Sequence, residues 1–132
     1  MIEQGLVLLV QASSEVAGIA PGGGFFAKAP KDQALPLWTF ISASDTQPYT
    51  LSGATGLVTR RLQINCDGAA AADCIRLAKA IDDVLSGFSG ILADPDSTPV
   101  HGCFRSNVID FFDDPGRTYR RILEYELCFT QN

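Results

Sequence analysis

The spacing of apolar residues changes between Leu57 and Gly87, and this change constrains the fold more than any other feature of the sequence. In the first part apolar and polar side chains alternate, which is typical of a strand with one buried face. Further along they recur at three- and four-residue steps, which predicts an amphipathic helix. The strand positions are Val58, Leu62, Ile64 and Cys66, and the helix positions are Cys74, Leu77, Ala78, Ile81, Val84 and Leu85. The segment therefore predicts a helix packed across a sheet.

Three single residues in this segment carry further predictions. Arg60 lies on the otherwise apolar side of the strand, near its start. Asp67 is placed to accept hydrogen bonds from the first free N–H groups of the helix, as an N-cap residue does. Gly87 can take the left-handed conformation that ends a helix.

The N-terminal part of the chain predicts one more helix and a long connection. Ile2, Leu6, Leu9 and Val10 share one helical face, which predicts a first helix of about three turns. Residues 13–36 hold three consecutive glycines and three prolines, and we expect an irregular connection there with a short strand at Phe25–Lys28. The glycine run lacks the Gly-Lys-Ser/Thr ending of a phosphate-binding loop, so it is interpreted as a turn.

The remaining segments predict strands. Leu37–Ser44 carries apolar residues on both faces, which indicates a strand inside the sheet. In Thr118–Phe129, apolar and polar residues alternate well. Phe88–Leu92 is predicted as a short strand. Val100–Phe112 has strand character without clean alternation, and Gly102 and Asn107 mark a bulge there. A hairpin turn is expected at Asp113–Gly116, because Pro and Gly favour turn backbone angles.

These segments together predict a single α+β domain over residues 1–132. Short links and alternating strands favour a mostly antiparallel or mixed sheet with two helices on one face. The sheet face expected to pack on the helices carries Val58, Leu62, Ile64, Tyr119, Leu123, Tyr125 and Leu127.

The composition of the chain argues against some classes of function and favours others. The net charge of −5 argues against general nucleic-acid binding, since that needs clustered cations, and the chain has only two Arg-Arg pairs. The first apolar run is too short for a signal peptide or membrane span, so we expect assembly in the cytoplasm. Charged residues make up 19% of the chain, and this low share suggests a surface covered by another subunit.

No residue set points clearly to chemistry. The cysteines Cys66, Cys74, Cys103 and Cys128 lack metal-site spacing, and we expect reduced, mostly buried thiols. His101 and Cys103 would share a strand face, but a third orienting group for a catalytic pair is missing. The acidic cluster of Asp110, Asp113 and Asp114 is typical of a solvated hairpin tip. We therefore expect no enzyme activity, and no catalytic, cofactor-binding or metal-ligating residues.

Three stretches resemble the tail-completion, or tail-terminator, proteins of long-tailed bacteriophages and prophages. The first is LPLWTFISASDTQPYTLSG, which resembles the family's strand entered from Leu-Pro and its Tyr-Thr-Leu-x-Gly loop. The second is SGATGLVTRRLQINCDGAAAADCIRLAKAIDDVLSGFSG, which resembles its Gln-Ile strand and the helix closing on Leu-x-Gly-Phe. The third is DDPGRTYRRILEYELCF, which resembles its closing hairpin. The PGGGFFAKAPK segment and the number of cysteines depart from the family pattern.

The resemblance implies a structural role in the virion tail. Such proteins form a ring, typically hexameric, that caps the tail tube, stops its polymerisation and presents the head-tail joining surface. The implied partners are further copies of the chain, the tail tube protein and the head-tail connector proteins, without a cofactor, specific nucleic-acid binding or a membrane. A small ligand-binding or regulatory α+β domain and a neighbouring neck or head-completion protein are the alternatives.

The link from Asp45 to Gly56 is predicted to be part of the interface between subunits of the ring or of the surface that faces the tail tube. It is longer than joining two strands requires, and long loops in compact domains are often functional. Tyr49 and Leu51 are apolar in an otherwise polar segment, and they could dock on a neighbour or fold back on their own sheet. The candidate interface residues are Tyr49, Leu51, Ser52, Gly53, Thr55 and Gly56.

Overall fold

The computed structural model describes residues 2–29, 34–47, 49–50, 53–54, 56–113 and 118–131, of which 49, 50, 53, 54 and 113 are described by their backbone alone. Within these residues the chain forms three helices and eight strands. The helices are α1 (Ile2–Gln11), α2 (Ser14–Ile19) and α3 (Ala71–Leu85). The strands are β1 (Gly24–Phe26), β2 (Leu37–Thr46), β3 (Tyr49–Thr50), β4 (Gly53–Ala54), β5 (Leu57–Gly68), β6 (Gly90–Ile91), β7 (Pro99–Asp113) and β8 (Thr118–Thr130).

Six of the strands form one mixed sheet, in the order β1-β2-β5-β8-β7-β6. Every neighbouring pair is antiparallel except β1 and β2, which run parallel. The predicted mixed sheet is therefore confirmed, and β2 lies inside it as expected. β3 and β4 pair only with each other, as a separate two-stranded hairpin between β2 and β5.

All three helices lie on one face of the sheet. The end of α1 reaches Trp38 of β2, whose indole N–H donates to Gln11 Oε1 at 2.8 Å. The last turn of α3 reaches β8, where the Tyr125 hydroxyl donates to Asp82 Oδ1 at 2.6 Å. Trp38 pairs with Cys66 and Tyr125 pairs with Leu62, and both of these partners belong to the apolar face of β5. Trp38 and Tyr125 therefore lie on the same face of the sheet. One face of the sheet is thus covered, and the other carries the polar positions of the alternation.

The predicted core face is confirmed at six of its seven positions. These six are almost fully buried: Val58, Leu62, Ile64, Leu123, Tyr125 and Leu127. Tyr119 is the exception, since 36% of it remains exposed. It pairs with Gly68 at the end of β5, just before α3 begins, so the helix covers only part of it. Its ring packs on the exposed Phe112 instead, with centroids 4.4 Å apart.

The region expected to be an irregular connection holds a third helix, so the prediction of two helices is wrong. Ser13 caps α2, accepting a hydrogen bond from the Val16 N–H at 3.4 Å, and Val16 is fully buried. The predicted strand at Phe25–Lys28 is found slightly earlier, as β1. Its Gly24 lies against the Trp38 ring so closely that a Cβ atom there would be 2.1 Å from the indole, so glycine is required for this contact.

Asp67 does not cap α3, which is a second correction. The N-cap position is Ala70, without a side-chain hydrogen bond, because β5 continues to Gly68. Asp67 instead accepts two hydrogen bonds from Arg120 of β8, at 2.6 and 3.1 Å. The Asp67 carboxylate is therefore bound by Arg120 of the neighbouring strand and does not cap the helix. The left-handed backbone predicted at Gly87 is confirmed, with φ of +78°.

The predicted irregularity of Val100–Phe112 is confirmed as two bulges. The register of β7 against β8 shifts between Val100 and Gly102 and again between Arg105 and Asn107. The hairpin that joins these strands is confirmed by the pairing of Asp113 with Thr118, although residues 114–117 of its turn lie outside the described part. In the Asp45–Gly56 link, β2 continues to Thr46 and the β3–β4 hairpin follows, so less of it is loop than expected.

Candidate assembly surfaces

The predicted interface residues lie on and around the β3–β4 hairpin. The backbone of Tyr49 pairs with Ala54 and that of Gly53 with Thr50, while Leu51, Ser52 and Thr55 lie outside the described residues. Gly56 follows with φ of +79°, and its carbonyl accepts a hydrogen bond from the Gln131 N–H at 2.7 Å. The hairpin is thus held at its base against the end of β8. Its part in an interface stays a prediction.

A half-buried ion cluster lies close to the base of this hairpin. The Arg60 guanidinium donates to Asp45 at 2.8 and 3.1 Å and to Glu3 at 3.1 Å. It also lies over the Phe129 ring, 5.3 Å from its centroid, and only 13% of its side chain is exposed. These partners explain why an arginine occupies the apolar side of β5. The hydrogen bond from Arg60 lowers the pKa of Asp45 below its ordinary value.

Replacing Arg60 by alanine is expected to lower the free energy of unfolding by about 1–2 kcal/mol at pH 7, since two carboxylates and the Phe129 ring lose their partner. Because the pKa of Asp45 is lowered in the folded state, its contribution is lost as the pH falls through that lowered value. The difference in the free energy of unfolding between the wild type and Arg60→Ala should therefore become smaller once the pH falls below about 4. Urea denaturation at pH 7 and pH 3 measures both effects.

The neighbouring Arg61→Ala variant is the control for this prediction. Arg61 lies on the open face, and 58% of its side chain is exposed, with a single ion pair to Glu124 at 3.3 Å. Such surface pairs contribute little, so this change should cost less than about 0.5 kcal/mol. Equal losses for Arg60→Ala and Arg61→Ala would contradict the structural role assigned to the Arg60 cluster.

A second surface, along β7, is rich in exposed apolar side chains. Phe104 and Phe111 are 59% and 58% exposed, and these are high values for phenylalanine in a folded domain. The other exposed apolar residues of this strand are Val108, Ile109 and Phe112. Val108 and Phe112 lie on the helix side of the sheet and the other three on its open face, as their β8 partners show. We call these five residues together the β7 apolar surface. The sequence indicates this exposure through the lack of alternation in Val100–Phe112, which places apolar residues on both faces of the strand.

A groove of about 320 Å³ runs between this surface and the first half of α3. Its apolar walls include Ile75 of α3 and the rings of Phe112 and Tyr119, which pack on each other at a tilt of 33°. Arg121 lines it as well and donates to Asp110 at 2.7 and 3.1 Å, and these hydrogen bonds hold the pKa of the Asp110 carboxyl below its usual range. Asp110 therefore belongs to a strand ion pair. Asp114 and the side chain of Asp113 lie outside the described residues.

The structure separates His101 from Cys103. His101 is the extra residue of the first bulge, so the alternation shifts and the two side chains no longer share a face. His101 is exposed, with its Nε2 2.6 Å from Thr130 Oγ1. Cys103 is fully buried, and burial raises the pKa of its thiol to about 12, which disfavours the nucleophilic thiolate.

The expected burial of the cysteines is confirmed for Cys66 and Cys74, while Cys128 is half-buried. Burial raises the pKa of both Cys66 and Cys74, and the Cys74 thiol donates to the Tyr119 carbonyl at 3.0 Å. Across the described ranges, no group of three or more His, Cys, Asp or Glu side chains is arranged to hold a metal ion. The helices of the described chain are all too short or too polar to cross a membrane.

Comparison with known proteins gives a structural match only. No family model matches the sequence, and no curated protein does so either. Among solved structures, the fold is similar to that of a chain in the virion of a native gene transfer agent particle, with a TM-score of 0.74 and 15% sequence identity. The match covers 95% of this chain and 91% of the other. Over nearly its whole length, the protein therefore has the fold of a chain found in a gene transfer agent virion.

Proposed function

We propose that the protein is a virion structural component and, more specifically, a tail terminator. In this role it forms a hexameric ring that caps the tail tube, stops its polymerisation and offers the surface for head-tail joining. The observation that carries the proposal is the shared fold with a virion chain over nearly the full length of both. The sequence resemblance to tail-completion proteins supports the narrower assignment.

The surfaces of the molecule support a role in assembly. The described residues leave five apolar side chains of β7 exposed, three of them on the open face of the sheet. Exposed apolar surface of this kind in a soluble domain often marks a protein interaction site. Cys103, two residues after His101, is buried, and burial raises the pKa of its thiol to about 12. We therefore propose a non-catalytic protein whose partners are its own copies, the tail tube protein and the head-tail connector proteins, located in the virion tail.

The β3–β4 hairpin and its flanks are the proposed contact between subunits. In a ring with head-to-tail contacts, this hairpin meets a different surface of the next copy. The contact would use Tyr49 and Leu51, with Ser52, Gly53, Thr55 and Gly56 shaping the loop around them. Aromatic side chains often carry much of the energy of such contacts.

Electron microscopy of the polymerising tail tube protein, with and without this protein, tests the proposal. The expected result is a ring of density at one end of each tube and tubes that stop growing once the protein is added. Tubes that grow equally long in both mixtures and carry no cap would contradict the terminator assignment. Binding along the sides of the tubes would contradict it as well.

A further inference from the structure

Along most of its outer edge, β7 has no strand partner among the residues that the structure describes. Its partner on that side, β6, pairs only with Pro99 and Val100. The Cys103 carbonyl accepts one more hydrogen bond, from the Gly87 N–H at 2.7 Å. From Phe104 to Asp113, nothing else in the described part of the chain pairs with this edge. An exposed strand edge of this length is a template for an added strand.

The direction in which the backbone groups of β7 point follows from one hydrogen bond. The Val108 N–H is taken by its neighbour's side chain, Asn107 Oδ1, at 2.9 Å, so it does not point into the ladder with β8. In an antiparallel strand the groups of every second residue face the same side. The N–H groups of Asp110 and Phe112 therefore also point outward, away from β8.

In the described part of the chain, the opposite edge of the same sheet is paired only in part as well. β1 pairs with β2 only from Trp38 to Phe40, and the Ala27 N–H extends this by a hydrogen bond to the Phe40 carbonyl at 2.8 Å. Because the Phe40 carbonyl faces the β1 side, the N–H of Ser42 faces that side too. Beyond Phe40, no described strand covers this edge as far as Thr46.

We propose that the β7 edge of one copy pairs with the β2 edge of the next, so that the sheets of neighbouring subunits continue into one another. This inference rests on the ring of the proposed function and specifies how its subunits join. A second copy fits both open edges at once, because each subunit offers one edge of each kind. The two edges lie on opposite sides of the sheet, which is the arrangement that a head-to-tail ring requires.

The direction of the pairing also follows from the fold. β2, β5, β8 and β7 are successive antiparallel neighbours, so β7 and β2 run in opposite directions. In a sheet that continues around a ring, equivalent strands are tilted by the same angle to the ring axis, and rotation about that axis preserves strand direction. The added β2 strand is therefore antiparallel to β7. The β3–β4 hairpin, which directly follows β2, would then lie beside the neighbouring β7 apolar surface.

Proline substitutions at outward N–H positions test the pairing, since they remove one donor and obstruct an added strand while an edge strand tolerates them. Asp110→Pro blocks the β7 edge, and Ser42→Pro blocks the β2 edge. Asp110→Ala and Ser42→Ala are the matched controls, because they remove the same side chains and keep the N–H groups. Light scattering gives the assembly state, and circular dichroism checks that each variant folds.

Each proline variant is expected to raise the concentration needed for assembly by at least about tenfold, whereas the alanine variants assemble like the wild type. A mixture of the two proline variants should give two-chain complexes at high concentration, because one intact edge of each kind remains. Neither variant should do so alone. Phe112→Pro, which removes the next outward N–H of β7, replaces Asp110→Pro if the latter unfolds.

Three results would overturn this inference while leaving the ring intact: assembly of both proline variants at the wild-type concentration, a mixture that stays monomeric, or equal loss in the alanine controls. A wild-type protein that is monomeric both alone and with the tube protein is a different failure. It would contradict the ring itself.

Discussion

Replacing Leu62 or Ile81 by alanine is expected to lower the free energy of unfolding by about 2–5 kcal/mol. Leu62 lies on β5 in the middle of the sheet, and Ile81 lies on the face of α3 that packs on it. Both are almost fully buried, so truncation removes apolar contacts and leaves a cavity that the surrounding side chains fill only in part. These losses are a large share of the stability of a domain of this size.

Urea denaturation of the two variants and of Ile75→Ala measures this effect. Ile75 is the matched control, since it stands on the same helix as Ile81 but is 46% exposed. Its truncation should cost less than half as much as that of Ile81. Losses below about 0.5 kcal/mol for both Leu62→Ala and Ile81→Ala would mean that the core is elsewhere.

The double change Tyr49→Ser with Leu51→Ser is expected to abolish ring formation and tail termination while leaving the monomer folded. The backbone of Tyr49 belongs to the β3–β4 hairpin, which pairs with no strand of the main sheet among the described residues. Removing two apolar side chains from it should therefore weaken contacts between subunits far more than the core. Light scattering measures the assembly, and thermal denaturation measures the fold.

Leu8→Ser is the control for the double variant. Leu8 is 53% exposed on α1, so the change removes an exposed apolar side chain that does not belong to the β3–β4 hairpin. It should assemble like the wild type. Unfolding of the double variant would mean that Tyr49 and Leu51 pack on their own sheet, and normal assembly would mean that the contact lies elsewhere.

The periodicity of the sequence predicted the central elements because burial selects apolar residues at regular steps. The alternation of β5 and β8 and the helical spacing of α3 come from one shared core, so each pattern supports the other. Where a residue had a second partner available, the prediction failed. Asp67 could cap the helix or bind Arg120, and only the register between β5 and β8 brings Arg120 close enough to decide between them.

Other features depend on neighbours that the local sequence does not show. Tyr119 follows the alternation of β8, yet it lies at the end of the sheet, where α3 covers it only partly. The helix α2 is short, and its Ser13 cap and buried Val16 are weak signals beside the glycines and prolines that follow. The open edge of β7 could not be predicted either, because it depends on how little of that strand β6 covers.

Size-exclusion chromatography with light scattering, over a range of concentrations, tests the central claim of a ring-forming virion protein most directly. We expect a concentration-dependent species with the mass of six 14.1 kDa chains, formed by the wild type and lost in the Tyr49→Ser, Leu51→Ser variant. A strict 14.1 kDa monomer at every concentration, which also stays monomeric with the tail tube protein and binds a small metabolite, would contradict it.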